Sequence, residues 1–141
     1  MIQRIQTVFL VFGIALVAAS FLLGRVWAGP AAVSLSWFTP VTLGLYSLAV
    51  VGGAISIFLF GNRDRQKQAV LLVALVTLLG LVSLLAGLVL SDALTVTSEG
   101  SAGTQTWLAL AFPAVGVAFF GFARRAIAKD IELLRSVDRL R

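Results

Sequence analysis

The chain has no cysteine and no histidine, and its single methionine is its first residue. Without cysteine there can be no disulfide and no thiol–disulfide exchange of the kind run by quinone-coupled membrane oxidoreductases. Without histidine or an internal methionine, His- or Met-ligated haem and most zinc and copper sites are excluded, and Ser–His catalysis goes with them. Charge is scarce too: Asp, Glu, Lys and Arg make up 12% of 141 residues, against roughly 25% in soluble domains. All six acids, Asp64, Asp92, Glu99, Asp130, Glu132 and Asp138, fall outside the long apolar runs. No run therefore carries the intramembrane carboxylate that marks many coupled transport pathways. Proline occurs three times, and only Pro113 stands inside an apolar run. There it removes one backbone hydrogen bond and predicts a kink.

What is abundant is apolar sequence: 60% of the residues are hydrophobic and mean hydropathy is +1.03. A helix needs about 20 apolar residues to cross a hydrocarbon core about 30 Å thick. Four runs qualify, at residues 7–28, 41–61, 69–90 and 107–122. The first three lack the polar stripe that a buried helix of a soluble bundle would show. The first run follows Arg4 and resembles a signal peptide, but it is longer than a signal's apolar segment, so it reads as a retained anchor. Small residues four apart, as in Gly52 with Ser56, Ala49 with Gly53, Ser83 with Gly87 and Ala114 with Ala118, let helices approach closely and favour a compact four-helix bundle.

Basic residues predict the orientation, since they concentrate on the cytoplasmic side. With both termini inside, ten of the eleven Lys and Arg are cytoplasmic: Arg4; Arg63, Arg65 and Lys67; Arg124, Arg125, Lys129, Arg135, Arg139 and Arg141. Only Arg25 falls outside. The net charge of +5 and the isoelectric point near 11.2 thus read as a topology signal. The charge is spread along membrane borders instead of forming a groove with stacking aromatics, so nucleic acid is not an expected partner.

The outer loops predict a short extracytoplasmic β-element, because Val33-Ser34-Leu35-Ser36-Trp37-Phe38 and Ala93-Leu94-Thr95-Val96-Thr97 both alternate apolar and polar residues of strand-forming type. Trp27, Trp37 and Trp107 fit an aromatic belt at the outer boundary. Arg25 and Asp92, at the outer ends of the first and third spans, are candidates for a salt bridge across the rim. The expectation is that Asp92→Asn lowers the melting temperature in detergent if they pair.

From residue 123 to 141 no Gly or Pro interrupts the chain, and Ile127, Ile131, Leu134 and Val137 share one helical face. The fourth span is expected to run on into a cytoplasmic amphipathic helix. It could lie on the inner leaflet, dock on its own bundle or face a partner. Its candidate interaction surface comprises Arg124, Arg125, Lys129, Asp130, Glu132, Arg135, Asp138 and Arg139.

The opening Met1-Ile2-Gln3-Arg4-Ile5-Gln6-Thr7 and the closing stretch, with Arg125-Ala126-Ile127, Lys129-Asp130, Glu132-Leu133, Arg135-Ser136 and Asp138-Arg139-Leu140-Arg141, resemble DUF4293, a four-span membrane family of unknown function from Bacteroidetes-type bacteria. Ile131 stands where that family's tail is expected to carry a second acid. The resemblance implies a bacterial inner-membrane protein and transfers no active residue.

The sequence therefore predicts one all-α transmembrane domain over residues 1–141, with a tail helix over residues 123–141. Its expected role is non-enzymatic and without cofactor: a scaffold, assembly factor or accessory subunit of a membrane complex. Membrane lipid, a protein bound through the C-terminal helix and further copies of the chain are the expected partners. The alternative is a small transporter or lipid-binding protein with a cavity between the helices. A filled core would favour the former, a polar cavity reaching the midplane the latter.

Overall fold

The computed structural model describes residues 2–96 and 100–138, with side chains over residues 5–94 and 103–137. Among the described residues seven α-helices follow in order: α1 (Ile2–Ala19), α2 (Gly24–Trp27), α3 (Pro30–Ser34), α4 (Phe38–Phe58), α5 (Arg63–Leu90), α6 (Ala93–Val96) and α7 (Gly100–Asp138). Four helical segments are long and apolar enough to span a membrane, which makes this a multi-pass membrane protein. Large apolar side chains such as Phe12, Leu48, Leu72 and Leu79 point outward along them. That is the surface a hydrocarbon solvent favours and water does not.

The bundle closes as a ring in which α1 packs on α4, α4 on α5, α5 on α7 and α7 back on α1. Consecutive long helices are thus neighbours, as short connections require. Close approach comes from large side chains seated over glycines. A Cβ on Gly13 would lie 2.7 Å from the Phe120 ring, one on Gly53 2.7 Å from Ile14, and one on Gly80 2.5 Å from the Tyr46 ring; one on Gly87 would collide with Phe38. These contacts join α1 to α7, α1 to α4, and α4 to α5 twice. Around them lie two apolar clusters. One is built on Leu10, Val17, Tyr46, Val70, Phe120 and Ile127, and the other on Val26, Phe38, Leu84, Leu88 and Ala109.

The loop end opposite the basic turn departs from the sequence reading. Among the described residues there is no strand, so the expected β-element is not formed. The stretch containing Val33-Ser34 instead folds as α3, with Gly29 before it, Pro30 in its first turn and the Ser34 hydroxyl donating to the Pro30 carbonyl at 2.8 Å. Ala93–Val96 is also a helical turn, and Thr97 lies outside the described residues. The physical reason is local: proline presets helical φ at a first turn. Local bonds reinforce the turn, with the Val33 and Leu35 N–H groups donating to the Gly29 and Ala31 carbonyls, whereas a lone two-stranded ribbon is marginal by itself.

The first span is not one straight helix either. It tightens into a 3₁₀ turn at Ser20–Leu22 and resumes as α2, which turns Trp27 inward. Its indole N–H donates to the Ser20 carbonyl at 2.9 Å, and its ring packs against Phe38 and Tyr46 at centroid separations of 6.0 and 6.4 Å. Trp27 therefore packs half-buried against the bundle core instead of pointing outward as a belt residue would. Trp37 and Trp107 are exposed. Helix α7 continues through Pro113 as a single element of 39 residues.

Candidate functional site

The chemically richest part of the molecule is the basic end, where the turn between α4 and α5 meets the second half of α7. Asn62 begins α5 by accepting the Arg65 backbone N–H at its side-chain oxygen, 3.2 Å away, and Asp64 sits in the first turn. Both features suit the positive end of a helix dipole. At the matching end of α4, the Ser56 carbonyl is one of the last four without an intrahelical partner. Gln66 of α5 reaches back and donates its side-chain amide to that carbonyl at 3.1 Å. The Ser56 hydroxyl donates to the Gly53 carbonyl at 2.6 Å. A buried glutamine thus closes one helix from the body of the next.

Arg63 Nε lies 2.8 Å from Asp130 Oδ2, with both side chains mostly shielded. No well-directed hydrogen bond reaches that oxygen, so the contact is charge on charge. It ties the start of α5 to α7. Register brings further polar groups to the same level. Gly13 meets Phe120, and Gly53 meets both Ile14 and Val73. Two turns toward the basic end from Gly13, Phe120 and Val73 stand Gln6, Ile127 and Gln66 respectively, all buried. Among the described residues, the Oε1 atoms of Gln6 and Gln66 find no donor. The basic end is therefore capped by a small polar layer whose free atoms are acceptors. Among the described residues it holds neither a nucleophile with a base nor a paired set of carboxylates.

Of the predicted interaction surface, Arg124, Arg125, Lys129, Glu132 and Arg135 are exposed. Asp130 is turned inward to Arg63 and is 8% exposed, so it serves the fold and not a surface. Arg139 and the side chain of Asp138 lie outside the described residues. The apolar face of the tail divides in two. Ile127 is buried and Ile131 packs on the core, whereas Leu133, Leu134 and Val137 are exposed. An open groove of about 610 Å³ lies where the tail leaves the bundle, lined by Phe60, Asn62, Arg63, Ile131, Leu134 and Arg135 among others.

At the loop end Arg25 and Asp92 are both exposed. Each makes a polar or electrostatic contact, and the Arg25 backbone N–H donates to Gln105 Oε1 at 3.3 Å. Asp92 also has a backbone role, since its φ of 51° places it in the left-handed region just after α5, which Asp tolerates better than most residues.

Sequence reasoning missed the inward Trp27, the Gln66 closure of α4 and the Arg63–Asp130 pair. Only the last had a readable signal. Asp130 is three residues from Ile127 and seven from Ala123, which places it on the same inward face.

Compared with known proteins, residues 2–140 match the family model described as Domain of unknown function (DUF4293). No curated protein and no solved structure matches the chain.

Proposed function

We propose, for a chain that belongs to the DUF4293 family and so to a group defined without an activity, that it is a non-enzymatic protein of the bacterial inner membrane. Both termini lie in the cytoplasm, and it serves a larger membrane complex as scaffold, assembly factor or accessory subunit. The observation that carries this reading is the contrast between a filled bundle and an unfilled tail. Tyr46, Phe38 and Phe120 are fully buried over their glycines, which favours a static bundle over a transporter with a cavity at its midplane. Helix α7, by contrast, is about 58 Å long at ~1.5 Å per residue, nearly twice the ~30 Å hydrocarbon thickness. Its last turns hold Leu133, Leu134 and Val137 exposed beside Arg135. An apolar strip flanked by charge is the composition of a helix that docks on a partner.

The test is affinity purification of tagged protein from its native membrane in mild detergent, with mass spectrometry of co-purifying chains. The native chain is compared with a Leu133→Ser, Leu134→Ser, Val137→Ser variant and with a truncation after Glu132, which keeps the Arg63–Asp130 pair. Reproducible partners that are lost from both altered chains support the reading. Partners retained by both, or a native chain recovered alone, overturn it.

A further inference from the structure

A second groove at the basic end, about 430 Å³ in volume, is lined by Lys67 of α5 and by Gly121, Arg124, Arg125 and Ala128 of α7. We propose that this groove is a binding site for the phosphate headgroup of an anionic phospholipid.

Three features of the groove carry the assignment. The first is charge: three cations from two helices converge, and no carboxylate lines the groove. The nearest acid along α7, Asp130, is turned inward and committed to Arg63. The second is shape: the floor is glycine and alanine, and a Cβ placed on Gly121 would meet nothing within 4 Å. A headgroup can therefore approach the α7 backbone without displacing a side chain. The third is what lies next to the cations. Leu71, one turn from Lys67 on the same face of α5, and Phe122, one turn from Arg125 on the same face of α7, are exposed apolar residues on the side of the membrane-spanning segments. Cations above and apolar surface below match an amphiphile, whose phosphate and chains need both. A free phosphate ion would use only the upper half. Arg65 and Lys129 show that exposed cations at this end need not form a site, since both are exposed and neither lines the groove.

The site is independent of the tail reading, because the groove ends at Ala128 and survives truncation after Glu132.

The experiment uses the full chain in nanodiscs of phosphatidylcholine, either pure or doped with phosphatidylglycerol. Lipid retention is read by native mass spectrometry after release, and thermal stability is read in parallel. Four proteins are compared: the native chain; Lys67→Gln, Arg124→Gln, Arg125→Gln; the charge-matched control Arg65→Gln, Lys129→Gln, Arg135→Gln; and Gly121→Leu, which fills the floor and keeps every cation. Each cation near an anionic surface contributes a factor of about five in affinity. The groove triple variant is therefore expected to bind phosphatidylglycerol on the order of 100-fold more weakly. The native chain and the charge-matched control should retain at least one lipid through release and melt higher in the doped discs. Gly121→Leu should lose retention. Equal retention by the two triple variants overturns the site, as does undiminished binding by Gly121→Leu. Inorganic phosphate alone, added to the pure phosphatidylcholine discs, should leave the melting temperature unchanged; a rise equal to that seen with phosphatidylglycerol would also overturn the lipid assignment.

Discussion

At the scale of single residues, the fold rests on glycines that accept rings. Gly80 is the clearest case, because the Tyr46 ring above it is fully buried and a Cβ at Gly80 would lie 2.5 Å from it. Gly80→Ala gains at most about 1 kcal/mol of helix propensity, whereas overpacking a filled core costs about 1–3 kcal/mol. The net effect should be a lower melting temperature in detergent. Gly121→Ala meets open space and should hold or raise it; equal losses at both positions would count against the socket account. The small-residue pairs read from the sequence included Gly87 and Gly53, both of which are sockets, but passed over Gly80. Its neighbours four residues away are Val76 and Leu84, so the spacing rule does not flag it. The relevant spacing is seven, from Gly80 to Gly87, two turns along one face of α5.

Between elements, the ion contact from Arg63 to Asp130 fixes how α7 leaves the bundle. The pair is shielded but not sealed, with side-chain exposures of 23% and 12%. Removing one partner should therefore cost on the order of 2 kcal/mol, less than the ~3–5 kcal/mol of a fully buried pair. Asp130→Asn and Arg63→Gln are each expected to lower stability, and the double variant should lose less than the sum, because neither single change leaves its partner satisfied. Strict additivity in chemical denaturation would show that the two do not interact. The long helices were legible in the sequence because hydropathy over 20 residues overrides every local preference. The loop end was not, because alternation over five or six residues is a weak signal. There Pro30, Gly29 and the Ser34 hydroxyl decided in favour of a helical turn. Trp27 was misread for a related reason: a break at Leu23, whose ψ of 61° is not helical, redirects the side chains after it, and nothing in the apolar run announces that break.

For the whole molecule, the proposed tail contact and the proposed lipid site both lie at the basic end, and the proposed tail contact requires that end to face the cytoplasm. The charge distribution is the ground for proposing that orientation, since ten of the eleven Lys and Arg fall on one side if both termini are cytoplasmic. The filled core supplies the complementary point, that interest lies at this end and not in the middle of the bundle. The absence of cysteine makes the orientation directly measurable, since each introduced thiol is unique. Asp64, Ser136 and Ser36 are exposed positions, the first two at the basic end and the third at the loop end. The decisive measurement is labelling of single-cysteine variants Asp64→Cys, Ser136→Cys and Ser36→Cys in intact cells and in inverted membrane vesicles, with a reagent that does not cross membranes. With the basic end in the cytoplasm, Ser36→Cys labels in intact cells, and Asp64→Cys and Ser136→Cys label only in inverted vesicles. The reverse pattern, or labelling of Asp64→Cys and Ser136→Cys from opposite sides, would contradict that orientation.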